Sequence, residues 1–200
     1  MKLHQTAASP YVRKTRMAIA VKGLTDQVTC LETLTTNADD PLHKSNPLGK
    51  IPTLVLDDGT TLYDSRVICE YIDSIGTSGP RLFPEGESRW QVLTLLALGD
   101  GICDAALLAV YEKRYRPENM WYTPWIDKQM KHIHGAADAL EKAPPAMDGT
   151  PHIGHISLAA ALGYLDFRLE GFWRQGRPNL VAWLDNFAAA VPAFKDTAPQ

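Results

Sequence analysis

Asn46–Arg66, NPLGKIPTLVLDDGTTLYDSR, is the stretch that most narrows what this chain can fold into. Thr53-Leu54-Val55-Leu56 is a short apolar run, Asp58-Gly59 is a strong hairpin signal, and Thr60–Tyr63 reads as the returning strand. Asp64 and Ser65 then stand where a helix begins, because Val67, Ile68, Tyr71, Ile72 and Ile75 follow at helical spacing. Lys50, Ile51 and Pro52 lie just before the first strand. A backbone edge beside a proline is thereby brought close to a helix N-terminus, which suits a small peptide-like anion.

Upstream, residues 2–7 form a plausible strand. Ser9 fits a helix N-cap and Pro10 the first helical position, with Gly23 as the stop after Lys22. A second short strand is expected over Gln27–Glu32. Thr33–Ser45 reads as a polar loop with one helical turn, so the order is β, α, β, short α, β, β, α. Gly76, Gly79, Pro80, Pro84 and Gly86 mark a linker, with Leu82-Phe83 as its anchor.

Everything beyond the linker is helical in pattern. Glu87–Arg116 predicts a helix of roughly 45 Å, weakened and open to bending at Gly99 and Gly101 and ended by Pro117. Thr123-Pro124 opens the next helix, in which Ile126, Met130, Ile133, Ala137 and Leu140 recur at three and four. Ala143-Pro144-Pro145 closes it. Ile153–Leu169 is apolar enough to be buried on most sides, and Pro178–Ala190 predicts a further helix through Leu180, Trp183, Leu184 and Phe187.

A net charge of −3 leaves no basic footprint for nucleic acid. The longest apolar stretches are broken by charge or glycine short of the ~20 residues of a membrane span, and no membrane association is expected. The N-terminus runs into the fold pattern without a signal-type apolar region, so a cytoplasmic protein is expected. Cys30, Cys69 and Cys103 each sit among apolar residues and read as buried free thiols. No metal is expected: His132 and His134 point to different helix faces, and His152 and His155 flank Gly154 beside Pro151.

Four motifs, in order and spacing, resemble a cytosolic glutathione transferase of bacterial type over essentially the full length. They are Ser9-Pro10-Tyr11-Val12-Arg13-Lys14, Asn46-Pro47-Leu48-Gly49-Lys50-Ile51-Pro52, Leu62-Tyr63-Asp64-Ser65-Arg66 and Ala161-Leu162-Gly163-Tyr164-Leu165-Asp166-Phe167-Arg168. The resemblance implies an α/β thioredoxin-like domain over residues 1–77, a linker at 78–86, and an all-α helical bundle over 87–200. It also implies glutathione as co-substrate, a small hydrophobic electrophile as second substrate, and a homodimer.

The resemblance also implies a cis Ile51–Pro52 bond, which exposes the Ile51 N–H and C=O to pair with the cysteinyl backbone of glutathione. Otherwise Pro52 only starts a strand. Asp64 and Ser65 are then assigned to the γ-glutamyl end, beside their ordinary capping role. Lys50 either meets the glycyl carboxylate or is a solvated lysine. Ser9 is the expected catalytic residue. It cannot act as a base at neutral pH, but its O–H, with the positive end of a helix, can stabilise a thiolate. Tyr11 is the rival hydroxyl, ranked lower and placed in the electrophile pocket with Asp104, Leu108, Tyr111 and Trp121. Against these stand the capping role of Ser9 and plain helix packing for the pocket residues. No cysteine stands in the Ala7–Tyr11 loop, which argues for activating an external thiol rather than disulfide exchange. The alternatives are a glutathione-dependent peroxidase and a non-catalytic ligand-binding or protein-interaction module. At this helix start the family usually has a Ser/Thr-x-x-Asp capping box; here the matching positions are His152 and His155, or else Thr150 caps, and this departure puts the stability of that helix in doubt.

Overall fold

In the computed structural model, which describes residues 1–199, a four-stranded mixed sheet is ordered β2-β1-β3-β4. β1 (Lys2–Gln5) runs parallel to β2 (Thr29–Glu32) and antiparallel to β3 (Thr53–Val55), which pairs antiparallel with β4 (Thr61–Leu62). Leu3 and Leu54 face each other across the central pair, and both are fully buried. Gly59 makes the hairpin turn with φ +88°, a conformation that suits glycine. β2 is shorter than expected because Thr25–Gln27 forms a 3-10 turn first. Its position at the sheet edge leaves Cys30 exposed, which corrects the expectation of a buried thiol; Cys69 and Cys103 are buried. Sequence neighbours on a strand point to opposite faces, so apolar neighbours do not guarantee burial.

Three helices belong to this half: α1 (Pro10–Val21), the single turn α2 (Leu42–Ser45) and α3 (Ser65–Ile75). α1 buries Val12, Met17, Ala18 and Ile19 and packs against α3. Residues 76–87 contain no helix or strand. They are nonetheless anchored: Asp73 accepts from the backbone N–H groups of Leu82 and Phe83 at 2.9 and 3.0 Å, and the Leu82 carbonyl accepts from Ile153 N at 3.0 Å.

The remaining helices are α4 (Ser88–Arg114), α5 (Thr123–Lys142), α6 (Ile153–Arg168), α7 (Pro178–Ala190) and the short α8 (Ala193–Asp196). Thr123 is the first helical residue of α5 rather than its cap, so the helix starts one place earlier than expected. α6 is buried at every position from Ile153 to Leu165, as its apolar sequence predicts. α4 runs unbroken through Gly99. A Cβ there would lie 2.6 Å from Ser157 Oγ, so this glycine permits the close crossing of α4 and α6. By length and composition α4 would also pass as a membrane span, contrary to the sequence expectation. Its charges are sparse, and half of its most apolar window is buried in protein.

Candidate functional site

β1 ends at Gln5 and the chain turns through Ala7 and Ala8 to Ser9, the N-cap of α1. Ser9 Oγ accepts from Val12 N at 3.3 Å. That uses an oxygen lone pair and leaves the hydroxyl proton free to donate. No acidic residue stands in the first turn of α1, so the positive helix end is not neutralised there.

The antiparallel register pairs His4 with Thr53, so the residues before β3 lie at the same end of the sheet as the turn leading to Ser9. Those residues are Ile51 and Pro52, and the bond between them is cis. The Ile51 N–H and C=O make no hydrogen bond within the described residues. Asn46, which is 1% exposed, fixes this loop. Its Nδ2 donates to the Lys50 carbonyl and to Thr53 Oγ1, both at 2.9 Å, and its Oδ1 accepts from Leu48 N at 2.9 Å. The sequence reading missed Asn46; a buried amide between two turn residues was the available signal. Lys50 itself is exposed.

Asp64 is the N-cap of α3, with Oδ1 accepting from Arg66 N at 2.9 Å. Ser65 follows as a buried residue whose hydroxyl has no partner within the described residues. A network that the sequence reading did not see holds α1 and α3 to the helical half. Asp100 of α4, 2% exposed, accepts from Lys14 Nζ at 2.6 Å, Arg66 Nε at 2.9 Å and Ser157 Oγ at 2.9 Å. The Asp100 bond holds the Arg66 guanidinium above its ordinary pKa. Lys14 and Arg66 sit in motifs that the sequence displays, but their shared carboxylate is more than thirty residues away.

Four of the residues expected at an electrophile pocket share a surface. Asp104, Leu108 and Tyr111 follow at four and three on α4, and Tyr11 of α1 donates its hydroxyl to Asp104 Oδ1. Burial and this bond hold the Tyr11 phenol well above its ordinary pKa, so it is neutral and its proton is committed. Trp121 follows on the segment after α4. Its Nε1 donates to the Arg116 carbonyl at 3.0 Å, and Lys113 Nζ stands 5.5 Å from its ring. Trp121 is thereby held on the turn between α4 and α5.

His152 and His155 form a reciprocal capping box at the start of α6. His152 Nδ1 accepts from His155 N at 3.3 Å and His155 Nδ1 from His152 N at 3.4 Å, with the rings stacked 3.6 Å apart. The doubt over this helix start is resolved by imidazole nitrogens doing the work of oxygens. Among the described residues, no group of three or more His, Cys, Asp or Glu side chains is arranged to hold a metal.

Family models described as the glutathione S-transferase N-terminal and C-terminal domains match residues 8–75 and 123–186. An uncharacterized GST-like protein of Escherichia coli K12, YibF, is 34% identical over all of this chain and 98% of its own length. A glutathione transferase family member from Pseudomonas fluorescens Pf-5, crystallised with bound glutathione, is 41% identical with a TM-score of 0.92, covering 100% of this chain and 98% of that one. A second structure from that organism holds S-(propanoic acid)-glutathione and is 39% identical with a TM-score of 0.87, covering both chains fully. A Methylobacillus flagellatus glutathione S-transferase with glutathione bound is 35% identical with a TM-score of 0.91, covering 100% and 99%.

Proposed function

The chain belongs to the glutathione S-transferase family, and from that we propose that it conjugates the glutathione thiolate to small hydrophobic electrophiles, with Ser9 stabilising the thiolate. The observation that carries this reading is the division of labour between two hydroxyls. Tyr11 O–H is given to Asp104, while Ser9 O–H is left free at the uncompensated positive end of α1.

Lowering a thiol pKa by about 2 units requires a preference for thiolate of about 2.7 kcal/mol. One charge-assisted hydrogen bond and one helix terminus supply roughly that. The tripeptide is held by the free Ile51 backbone edge, by Asp64 and Ser65 at its γ-glutamyl end, and by Lys50 at its glycyl carboxylate. The sulfur lone pair attacks the electrophilic carbon. A C–S bond forms, the bond to the leaving group breaks with its electron pair, and the thiol proton has already passed to solvent. In the Pseudomonas fluorescens structures the same fold holds glutathione and an S-substituted glutathione, which supports a site for both substrate and conjugate.

We assign the active form to a cytoplasmic homodimer. Val67 on α3 and Trp90 on α4 are 48% and 70% exposed, and the Arg89–Glu70 pair ties the two helices beside them at 2.9 Å. Large apolar side chains left this exposed favour cover by a second copy.

Thermal melts with glutathione, followed by turnover of an aryl halide and of an organic hydroperoxide, test the reading. Stabilisation with aryl halide turnover supports it. Hydroperoxide turnover alone would reassign the protein as a peroxidase, and no stabilisation would remove glutathione from the account.

A further inference from the structure

The face of α4 expected to meet the electrophile changes character along its length. Asp104, Leu108, Tyr111 and Tyr115 follow on one face of α4 at intervals of four, three and four. At the inner end the Asp104 carboxylate is occupied by the Tyr11 hydroxyl. Tyr111 lies about 10 Å farther out at 1.5 Å per residue. There Tyr111 and Tyr115 meet edge to face at 5.0 Å, and the Arg114 guanidinium stands 5.6 Å from the Tyr115 ring centre.

A second arginine, Arg168, closes α6, its guanidinium 4.1 Å from the Phe167 ring centre. Gly154 abuts Val92 and Leu95 while Gly99 abuts Ser157, so α4 and α6 run in the same direction. The same offset carried to the helix ends sets Arg168 beside Tyr111. The charges of both arginines act on the Tyr111 hydroxyl, although burial outweighs them and keeps the phenol protonated above its ordinary range. Neither Arg114 nor Arg168 has a carboxylate partner among the described residues, whereas six other arginines each have one. Cations in a last helical turn answer the negative helix end. That role does not require two of them, both without a carboxylate partner, to act on one tyrosine.

We propose that Arg114 and Arg168, with the Tyr111 hydroxyl, form a carboxylate subsite at the outer end of the groove. The electrophile then has an apolar body lying on Leu108 and an anionic group distant from its reactive carbon. This rests on the transferase reading, which places the sulfur at the inner end. A guanidinium fork and a phenol O–H give a carboxylate two or three charge-assisted hydrogen bonds. The inner end carries Asp104 and offers an anion nothing, so the polarity of the groove sets the direction in which the substrate lies.

The test is calorimetric binding of S-(4-carboxybenzyl)glutathione and its primary amide, S-(4-carbamoylbenzyl)glutathione, beside glutathione itself. The carboxylate is expected to bind about tenfold tighter than the amide, from hydrogen bonds to charged groups. That preference is expected to fall to within about twofold in Arg168→Met and in Arg114→Met, each having lost one such bond. Arg116→Met, which removes a guanidinium already paired with Glu112, is expected to keep the preference. Equal binding of acid and amide, or a preference that survives both substitutions, overturns the subsite while leaving the transferase reading intact. No binding of glutathione or either conjugate overturns both.

Discussion

Tyr11 on α1 gives its hydroxyl proton to the Asp104 carboxylate on α4, joining the sheet half of the protein to the helical half. That bond decides between the two hydroxyls near the start of α1. A phenol already donating to a carboxylate, and held protonated by burial, has no second proton for a sulfur. Tyr11→Phe is therefore expected to leave the acidity of the bound thiol in place. Its effect should fall on the electrophile, with kcat/KM lower by roughly tenfold, the worth of one hydrogen bond. Titrating the thiolate absorbance of the bound tripeptide separates the two effects.

Asp100 binds Lys14, Arg66 and Ser157 from three different helices while 2% exposed. Asp100→Asn leaves the buried Lys14 ammonium without its counter-charge. Breaking such a pair costs on the order of 3 kcal/mol. For a chain of this length that lowers the melting temperature by roughly 10 °C. Asp104→Asn, which affects an exposed carboxylate, is expected to change it by only about 2 °C. Differential scanning calorimetry on both variants is the measurement, and equal melting temperatures would remove the network from the account.

The outline of the fold could be read from the chain because its signals are local. Ser9-Pro10, Asp58-Gly59 and the apolar spacing after Ser65 each fix an element within a few residues. The Asp64–Ser65 helix start and the Ile51–Pro52 edge were legible for the same reason. Asp100 was not, since its three partners lie between 34 and 86 residues away and nothing in a single sequence pairs them. Cys30 failed because edge position in a sheet is a property of topology, and Gly99 was read as a weak point where it permits a helix crossing.

The histidine capping box gives α6 a dependence on pH. Each Nδ1 accepts a backbone N–H and works as a cap only when it carries no proton. Burial, with a smaller effect of His152, holds His155 down to about 4 from an ordinary 6.5, and burial lowers His152 as well. Opposing this are the Ala146 carbonyl and the Asp148 carboxylate; the Trp183 ring, 6.0 Å away, carries no charge. Because the folded pKa lies below the unfolded one, the contribution is complete above pH 6.5. It is lost as the pH falls toward 4, where the unfolded chain takes up the protons first. The loss is on the order of 2 kcal/mol after allowing for solvent screening. Urea denaturation at a series of pH values measures it. The double substitution His152→Ser with His155→Asp, which keeps a capping box but removes both imidazoles, is expected to flatten the slope between pH 6.5 and 4.

Trp90, 70% exposed, is the side chain whose burial the dimer proposal most requires. Trp90→Glu is expected to convert a dimer into a monomer in light scattering at micromolar concentration, since it places a charge in an apolar contact. A wild-type protein that is monomeric under the same conditions would refute the assignment.

The pKa of the glutathione thiol bound to wild type and to Ser9→Ala tests the central claim most directly. The account predicts a thiol that titrates about 2 units below its free value of about 8.5 in the wild type. In Ser9→Ala it should rise by at least about 1 unit, the worth of one charge-assisted hydrogen bond, while glutathione affinity changes by less than about threefold. A bound thiol whose pKa is the same with and without the Ser9 hydroxyl would contradict it.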